Sequence, residues 1–569
     1  MRIRDALGEV RRAAEMARFR VETAVRVGGL KLGMHRNVGW EGVRLLAKEL
    51  SRGKANMSTL FRYHAVNDPT RPALIQAGLP GDKELGAKEV KRLTYGDVDR
   101  LADRIGMALS RRGLGRGTAV LMLVKNRVEF FVLGPAVSRI GASLVTVSWR
   151  STPAEIEYLA NHSGAAAVFF DAGIADVIRE AQPKLRDVPR RNFFSVGGKV
   201  DGFTSMEELI ENEHGSPEDV STESALVMYT SGTTGKPKGA VRKFQPALVA
   251  MTLSFIGETP MALGETHLTI CPLYHATATG FSSMAFLLGG TVVVAADFKP
   301  EIFLDAVERY QVTSTAMVPT MIHRVVELGP EELRKHDLSS LRAIFSGGAP
   351  LGGQLAAEAM DALGDKIYNF YGATETGLVT LGKPEDLRAA PGTIGRRVPG
   401  NEIRLLDEQG REVAPGEVGE LYARNPMLVE GYHADKEATD RSMVDGFFSV
   451  GDLAREDSAG RLFIEGRKRD MIISAGVNVY PAEIEAVLEA HPAVGEVAVV
   501  GVPDKDLGEK VRAFVAKRPG AEVSEEELKA FCKERLSGFK VPRDFAFVER
   551  LPRNPTGKVL KRELRVVEG

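Results

Sequence analysis

The stretch Tyr229-Thr230-Ser231-Gly232-Thr233-Thr234-Gly235-Lys236-Pro237-Lys238-Gly239-Ala240 constrains this chain more than any other. It follows Ala225-Leu226-Val227-Met228, an apolar run that reads as a buried strand, so a hydroxyl-rich and glycine-rich loop is held at the end of a rigid element. Gly232, Gly235 and Gly239 let the backbone take positive φ and bring N–H groups close to an anion. Thr230, Ser231, Thr233 and Thr234 add hydroxyl donors, and Lys236 and Lys238 add positive charge. Such a loop suits a phosphate chain. It is not a Walker loop, because Pro237 stands where a P-loop needs Ser or Thr to hold the metal and open a helix. A metal ligand must then come from elsewhere in the chain. By itself the run is also compatible with a plain surface loop.

The string is similar to the signature loop of the adenylate-forming superfamily, which includes acyl-CoA synthetases, luciferases and peptide-synthetase adenylation domains. The resemblance extends from about Thr59 to Lys561 and is most marked toward AMP-forming fatty-acyl-CoA synthetases. Composition is compatible with it. A chain of 569 residues suggests three or four structural units at about 150 residues each. With 75 Lys and Arg against 76 Asp and Glu, no overall field marks a nucleic-acid binder. Cys271 and Cys532 lie far apart with no metal-ligand spacing, which argues for a reducing compartment and against a structural metal. No stretch reaches about 18 consecutive apolar residues and the chain opens without the apolar core of a signal peptide, so a cytoplasmic location is expected.

Residues 1–54 stand apart, with 13 Lys and Arg against 6 Asp and Glu. Ile3, Leu7, Val10, Ala14, Ala17 and Val21 recur at helical spacing on one face, giving a basic amphipathic arm. It suits either the inner surface of a membrane or the body of the enzyme itself. From about Thr59 helices and short apolar strands alternate: a helix from Thr94 to about Arg112, a strand at Ala119–Val124, a helix at Phe130–Ile140, a strand at Ser143–Val147. Such alternation implies parallel, doubly wound sheet. From Pro391 the Pro and Gly content rises and short strands such as 403–406 and 420–423 read as a small β-rich subdomain. The expected fold is α/β. A large N-terminal domain of doubly wound sheets spans 55–468, with the β-rich subdomain at about 391–468. A mobile small α+β C-terminal domain follows at 469–569, with the hinge at Arg469 and Asp470.

Several further segments carry chemistry. In Cys271-Pro272-Leu273-Tyr274-His275-Ala276-Thr277, the lone His275 reads as a structural residue on spacing alone. The resemblance implies a gate beside the acyl tunnel. Ile344-Phe345-Ser346-Gly347-Gly348-Ala349-Pro350 and Ile367-Tyr368-Asn369-Phe370-Tyr371-Gly372-Ala373-Thr374-Glu375 each run from a strand into a glycine turn. Glycines permit close approach to a flat base and Tyr371 offers a stacking face. Glu375 is the carboxylate the first loop lacks, and Mg²⁺ needs only one or two protein carboxylates beside substrate phosphates. The resemblance implies that Gly348, Ala349 and Tyr371 flank adenine, with Gly372 in the same turn, that Asn369 meets its amino edge and that Thr374 touches a phosphate. An Asp accepts both hydroxyls of a ribose and a nearby Arg completes the contact; Asp452 and Arg467 match the family positions. Lys468 reads as a solvated turn. Gly476 and Val477 match the loop that passes a pantetheine arm. Lys558, in Pro555-Thr556-Gly557-Lys558, matches the catalytic lysine, although a lysine in such a turn is ordinarily just solvated.

These residues together imply a two-step ligase using ATP, Mg²⁺ and coenzyme A on a small-molecule carboxylic acid. The leading expectation is a medium- to long-chain fatty acid. An aryl or branched-chain acid, or delivery to a carrier protein, remains open within the same chemistry. From a different class, a non-catalytic nucleotide- or lipid-binding membrane protein is disfavoured by the presence of both Lys558 and Glu375. Oligomeric state is not legible.

Overall fold

The structure is a computed structural model that describes residues 18–31, 39–51, 56–77, 91–217, 224–230, 238–243, 246–432, 435–474, 477–504, 507–553 and 559–565. The chain forms two compact units, the first comprising residues 1–316, 334–344 and 426–440, the second residues 317–333, 345–425 and 441–569.

In the first unit one sheet is built in the order Gly431–Tyr432, Lys238–Lys243, Ala225–Thr230, Ser143–Thr146, Ala119–Leu123, Ala165–Asp171, Phe193–Val196 and Thr204–Ser205. From Ala225–Thr230 onward every pairing in that order is parallel. The central strand Ala119–Leu123 is buried at every residue, as a parallel strand covered on both faces must be. Leu121, Val145, Val168, Phe170 and Val227 form its core with Ile156 and Ile178 from the covering helices. A second set of strands joins Pro72–Ala77 to Thr291–Ala295, and Thr266–Thr269 to both Thr291–Ala295 and residues 314–316, all in parallel.

The helices follow their sequence signals. Tyr95–Arg111 starts at Thr94, whose hydroxyl accepts from Asp97 N while the Asp97 carboxylate accepts from Thr94 N, a reciprocal cap. Pro153–Ser163 repeats the device with Thr152 and Glu155. Between the helices Met57–Asn67, Tyr95–Arg111 and Val128–Arg139 lies Arg139, fully buried and paired with Asp99 and with Asp103, the latter at 2.7 Å. Arg62 meets the same two carboxylates, so the buried charge is balanced within the cluster.

In the second unit Ile367–Ala373 runs antiparallel to Gly377–Gly382, which pairs with Arg396–Arg397. The β-rich part holds Glu402–Leu406, Gly419–Arg424, Phe447–Phe448, Asp452–Glu456 and Leu462–Arg467, all antiparallel, over a core of Leu405, Leu421, Ala423, Ala454 and Leu462. The stretch expected at 391–468 is interrupted there, because residues 426–440 belong to the first unit, where Gly431–Tyr432 pairs with Val241 and Ala240. After Leu462–Arg467 the chain makes a 3₁₀ turn at Lys468–Asp470 and enters another sheet. That sheet contains Ile472–Ser474, Val477–Val479, Val494–Asp504, Gly508–Lys517 and Asp544–Phe547. Helices Pro481–Glu489 and Glu525–Lys533 contribute Ile484, Leu488, Leu528 and Cys532 to the core on it.

Of the basic arm, residues 18–31 and 39–51 are described, so Ile3, Leu7, Val10, Ala14 and Ala17 lie outside the described residues. Thr23 and Val27 are buried, whereas Val21 is 64% exposed. Among the described residues no helix is long and apolar enough to cross a membrane.

Candidate functional site

The phosphate-type loop is framed by a hairpin. Ala225–Thr230 and Lys238–Lys243 pair antiparallel as far as Thr230 with Lys238 and Tyr229 with Gly239. Ser231, Gly232, Thr233, Thr234, Gly235 and Lys236 lie outside the described residues, as do the side chains of Thr230 and Lys238. The root of the loop is fixed by a contact the sequence did not disclose: the Tyr229 hydroxyl and His162 Nδ1 share a hydrogen bond of 2.8 Å. Burial pushes the Tyr229 phenol well above its ordinary pKa, so it stays protonated.

His275 is the residue preceding the first turn of helix Ala276–Leu287, with its ring 4.2 Å from that of Tyr274. Its approach loop is pinned by Asn126, another residue that sequence reading missed. Asn126 Nδ2 donates to the Cys271 carbonyl at 2.9 Å and the Ala295 carbonyl at 3.2 Å, and its Oδ1 accepts from Leu273 N at 2.9 Å. A buried amide using both donors and its acceptor leaves the loop one conformation.

The second unit brings several of the nucleotide candidates together. Asp452 and Arg467 are cross-strand partners. Arg467 Nε lies 3.1 Å from Asp452 Oδ1, and the Tyr371 hydroxyl donates to Asp452 Oδ2 at 2.8 Å. Burial first and the Asp452 carboxylate second drive the Tyr371 phenol far above its usual range, while Glu375 adds to that push. The carboxylate thus sits between a cation and a hydroxyl donor. Each of its oxygens keeps a further lone pair, enough for a vicinal diol. Tyr371 also packs against the β-rich core, which fixes its ring.

Thr374, Glu375 and Thr376 form the tip between Ala373 and Gly377, the last paired residues of their hairpin. Glu375 is only 6% exposed. The Thr376 hydroxyl accepts from Ala373 N at 3.0 Å, and Asn425 Nδ2 donates to the Thr376 carbonyl at 3.0 Å, so the tip is braced on both sides. Gly372 is required by space: a Cβ there would fall 1.9 Å from the Gly377 carbonyl oxygen. Gly348 is required by conformation, at φ +79°, and Ala349 follows it. Asn369 is buried and its Nδ2 donates one of its two N–H bonds to the Thr393 carbonyl at 2.8 Å. The Oδ1 end of Asn369 is an acceptor, which is the polarity an adenine amino donor requires.

Arg469 and Asp470 occupy the 3₁₀ turn between two sheets. Arg565, from the turn after helix Lys561–Leu564, donates to the Arg469 carbonyl at 3.3 Å and to Asp470 Oδ1 at 3.4 Å. Lys468, read from the sequence as a solvated turn, is paired with Glu420 at 2.9 Å. Val477 is 42% exposed and pairs with Ser474 at the tip of its hairpin, while Gly476 lies outside the described residues. Lys558 also lies outside them. Its flanks are held: Arg553 bridges Val559, Arg553 pairs with Glu496 at 2.9 Å, Lys561 pairs with Glu485 at 2.7 Å, and Leu551 and Leu564 pack on the sheet.

These donors fit a magnesium nucleotide. Among the described residues no three His, Cys, Asp or Glu side chains are gathered to hold a metal. A single sequestered carboxylate such as Glu375 suits an ion whose other ligands are phosphate oxygens and water.

Residues 61–433 match the family model described as "AMP-binding enzyme", and residues 483–558 match "AMP-binding enzyme C-terminal domain". The chain belongs to the AMP-binding enzyme family. It is similar to the fatty acid–[acyl-carrier-protein] ligase ScoC of Streptomyces coeruleorubidus, 32% identical over 511 residues, covering 88% of this chain and 94% of that protein. It is similar to the feruloyl-CoA synthase of an Amycolatopsis species, 34% identical over 480 residues with 83% and 93% covered. The long-chain-fatty-acid–CoA ligase of Salmonella typhimurium strain LT2 is 32% identical over 543 residues, with 89% and 93% covered. Among solved structures, ATP-bound MatB from Rhodopseudomonas palustris superposes with a TM-score of 0.79 at 29% identity, covering 90% of this chain and 98% of that one. The chain is therefore an adenylate-forming acid–thiol ligase of the acyl- and aryl-CoA ligase type, working with ATP, Mg²⁺ and coenzyme A.

Proposed function

We propose that this enzyme activates a medium- to long-chain fatty acid as its acyl-adenylate and transfers the acyl group to coenzyme A. The observation that supports a working nucleotide site is the Asp452 carboxylate held between Tyr371 and Arg467. A carboxylate oxygen of the acid attacks the α-phosphorus of ATP and pyrophosphate leaves. The thiol of coenzyme A then attacks the acyl carbonyl and AMP leaves. Bringing two anions together is the barrier in the first step, and catalysis lies in positioning and charge neutralisation. In this reading Lys558 bridges the acid carboxylate and the α-phosphate, and the 230–238 loop takes up pyrophosphate. Glu375 holds Mg²⁺, which neutralises phosphate charge. Asp452 and Arg467 hold the ribose. Gly348, Ala349, Tyr371 and Gly372 flank the base, with Asn369 at its amino edge and Thr374 at a phosphate. Rotation at Arg469 and Asp470 exchanges Lys558 for the Gly476–Val477 face between the two steps. The acid preference draws on the apolar residues following the Tyr274-His275 segment, where Phe281, Met284 and Phe286 are buried.

The test is thioester formation over a panel of straight-chain, branched and aryl acids, with free coenzyme A and a phosphopantetheinylated carrier protein as competing acceptors. Highest turnover with fatty acids and free coenzyme A is expected. Preference for an aryl acid, or for the carrier, selects one of the sister chemistries named in the relatives.

The enzyme is proposed to be cytoplasmic, with peripheral membrane contact through its basic arm as a second reading. That contact is favoured by the exposure of Val21 and Val25 beside the exposed Arg18, Arg20 and Arg26. Flotation on anionic liposomes with and without residues 1–54 decides it; equal flotation removes the reading.

A further inference from the structure

Residues 24–31 precede the family match, which begins at 61. They nevertheless pack on helix Pro246–Gly257. That helix carries no charged residue along its 12 positions, and at its C-terminus the Ile256 carbonyl accepts from the Thr259 N–H at 3.0 Å and from the Thr259 hydroxyl at 2.9 Å, which leaves the carbonyls beyond it to a donor from elsewhere. Lys31 answers them. Its ammonium donates to the carbonyls of Ile256 at 3.3 Å, Gly257 at 2.5 Å and Thr259 at 2.7 Å. A cation at that end also meets the negative pole of the helix. Beside it the missing side chain of Gly257 makes room for Val27, since a Cβ there would lie 2.8 Å from Val27 Cγ2. Val27 is 2% exposed.

The clamped end is in contact with the helix that follows His275. Phe255, one residue before the clamped Ile256 and fully buried, packs edge-to-face on Phe281 with centroids 5.8 Å apart. Phe281 belongs to helix Ala276–Leu287, the helix that His275 precedes. The clamp sits at the C-terminal end of this helix, whose 12 residues run about 18 Å from the end nearer in sequence to the strand Lys238–Lys243.

We propose that residues 24–31 are a built-in clamp on the wall of the acid pocket, with Lys31 as a positioning residue that sets which acids fit. The inference rests on the assignment of the acid pocket to the His275 segment. Freed of Lys31, the last turn of the helix frays, Phe255 loses its fixed place, and the Phe281 wall yields with it.

The test uses the full chain and the variants Lys31→Met, Lys31→Arg and Val27→Ala. Deuterium exchange gives a readout that needs no activity: amides in the last turn of 246–257 exchange about fivefold faster in Lys31→Met, and Lys31→Arg restores protection. In acid-dependent pyrophosphate exchange, Lys31→Met raises KM for the preferred acid about fivefold and shifts the preferred chain length, while KM for ATP stays within about twofold. Val27→Ala gives a smaller change in the same direction. Unchanged exchange of the helix, or unchanged acid KM and preference, overturns the clamp. Equal rises in both KM values with a lowered melting temperature overturn it too, as they mark general destabilisation. Faster helix exchange with a shift in ATP KM alone would instead refute the acid-pocket assignment.

Discussion

Tyr371 donates its phenolic proton to Asp452 at 2.8 Å, across 81 residues of chain and between two different sheets. The bond fixes the ring expected to stack on the base to the carboxylate expected to hold the ribose, so the two contacts to a nucleoside are set as one unit. Arg467 on the other carboxylate oxygen keeps the charge in place.

Asp452→Asn removes the charge that Arg467 and Tyr371 share. KM for ATP is expected to rise about tenfold or more, with KM for the acid within about twofold. Tyr371→Phe keeps the stacking face and loses only the tether, so a rise of about threefold is expected. Initial-rate kinetics with each substrate varied in turn check both. Equal effects on the two substrates would show that Asp452 serves the fold rather than the nucleotide.

The Lys468–Asp470 turn is tied on one side by Lys468 to Glu420 and on the other by Arg565 to the Arg469 carbonyl and Asp470. Arg469→Pro fixes φ and restricts Lys468, so rotation there is blocked. Thioester formation from supplied acyl-adenylate is expected to fall about tenfold more than pyrophosphate exchange. Arg565→Ala is expected to shift the ratio of the two half-reactions by only a few-fold, since its pairs are partly exposed. Rates of both half-reactions unaltered by Arg469→Pro would place the pivot elsewhere.

His267 and His64 are buried, and burial pushes their pKa values down to about 3 and about 4. His267 keeps a 3.0 Å hydrogen bond to the Ser314 hydroxyl. Both are neutral in the folded state and take up a proton on unfolding below about 6.5. Their contribution is therefore fully present above pH 6.5 and is lost as pH falls toward 4, by up to about 1.4 kcal/mol per pH unit for each. Urea midpoints between pH 7.5 and 5 are expected to fall with acidity, and His64→Gln is expected to flatten the slope by about one proton. An unchanged slope in that variant would show that His64 titrates normally.

Much of this architecture is legible from local pattern. Ala225–Met228, Ala119–Leu123 and Ser143–Thr146 are apolar runs bounded by turn residues, and each lies in a strand with a parallel neighbour. Thr94 and Thr152 announce their helices through capping boxes. What escaped the reading is long-range. Asn126 reaches Cys271 across 145 residues, His162 reaches Tyr229 across 67, and Lys31 reaches Ile256 across 225, and no periodicity records such pairings. The departure of 426–440 from the β-rich stretch was hidden for another reason: Gly431–Tyr432 is only two residues long, too short to show a strand pattern. Asn369 was legible as a candidate site residue, but not that one of its amide hydrogens is held by the Thr393 carbonyl.

The most direct measurement compares the two half-reactions in Lys558→Ala. Wild-type enzyme is expected to return labelled pyrophosphate into ATP only when an acid is present, and Lys558→Ala is expected to lose that exchange by about a thousandfold or more while still forming thioester from supplied acyl-adenylate. Equal loss of both steps, or a wild-type enzyme that no acid provokes to exchange, would contradict the account.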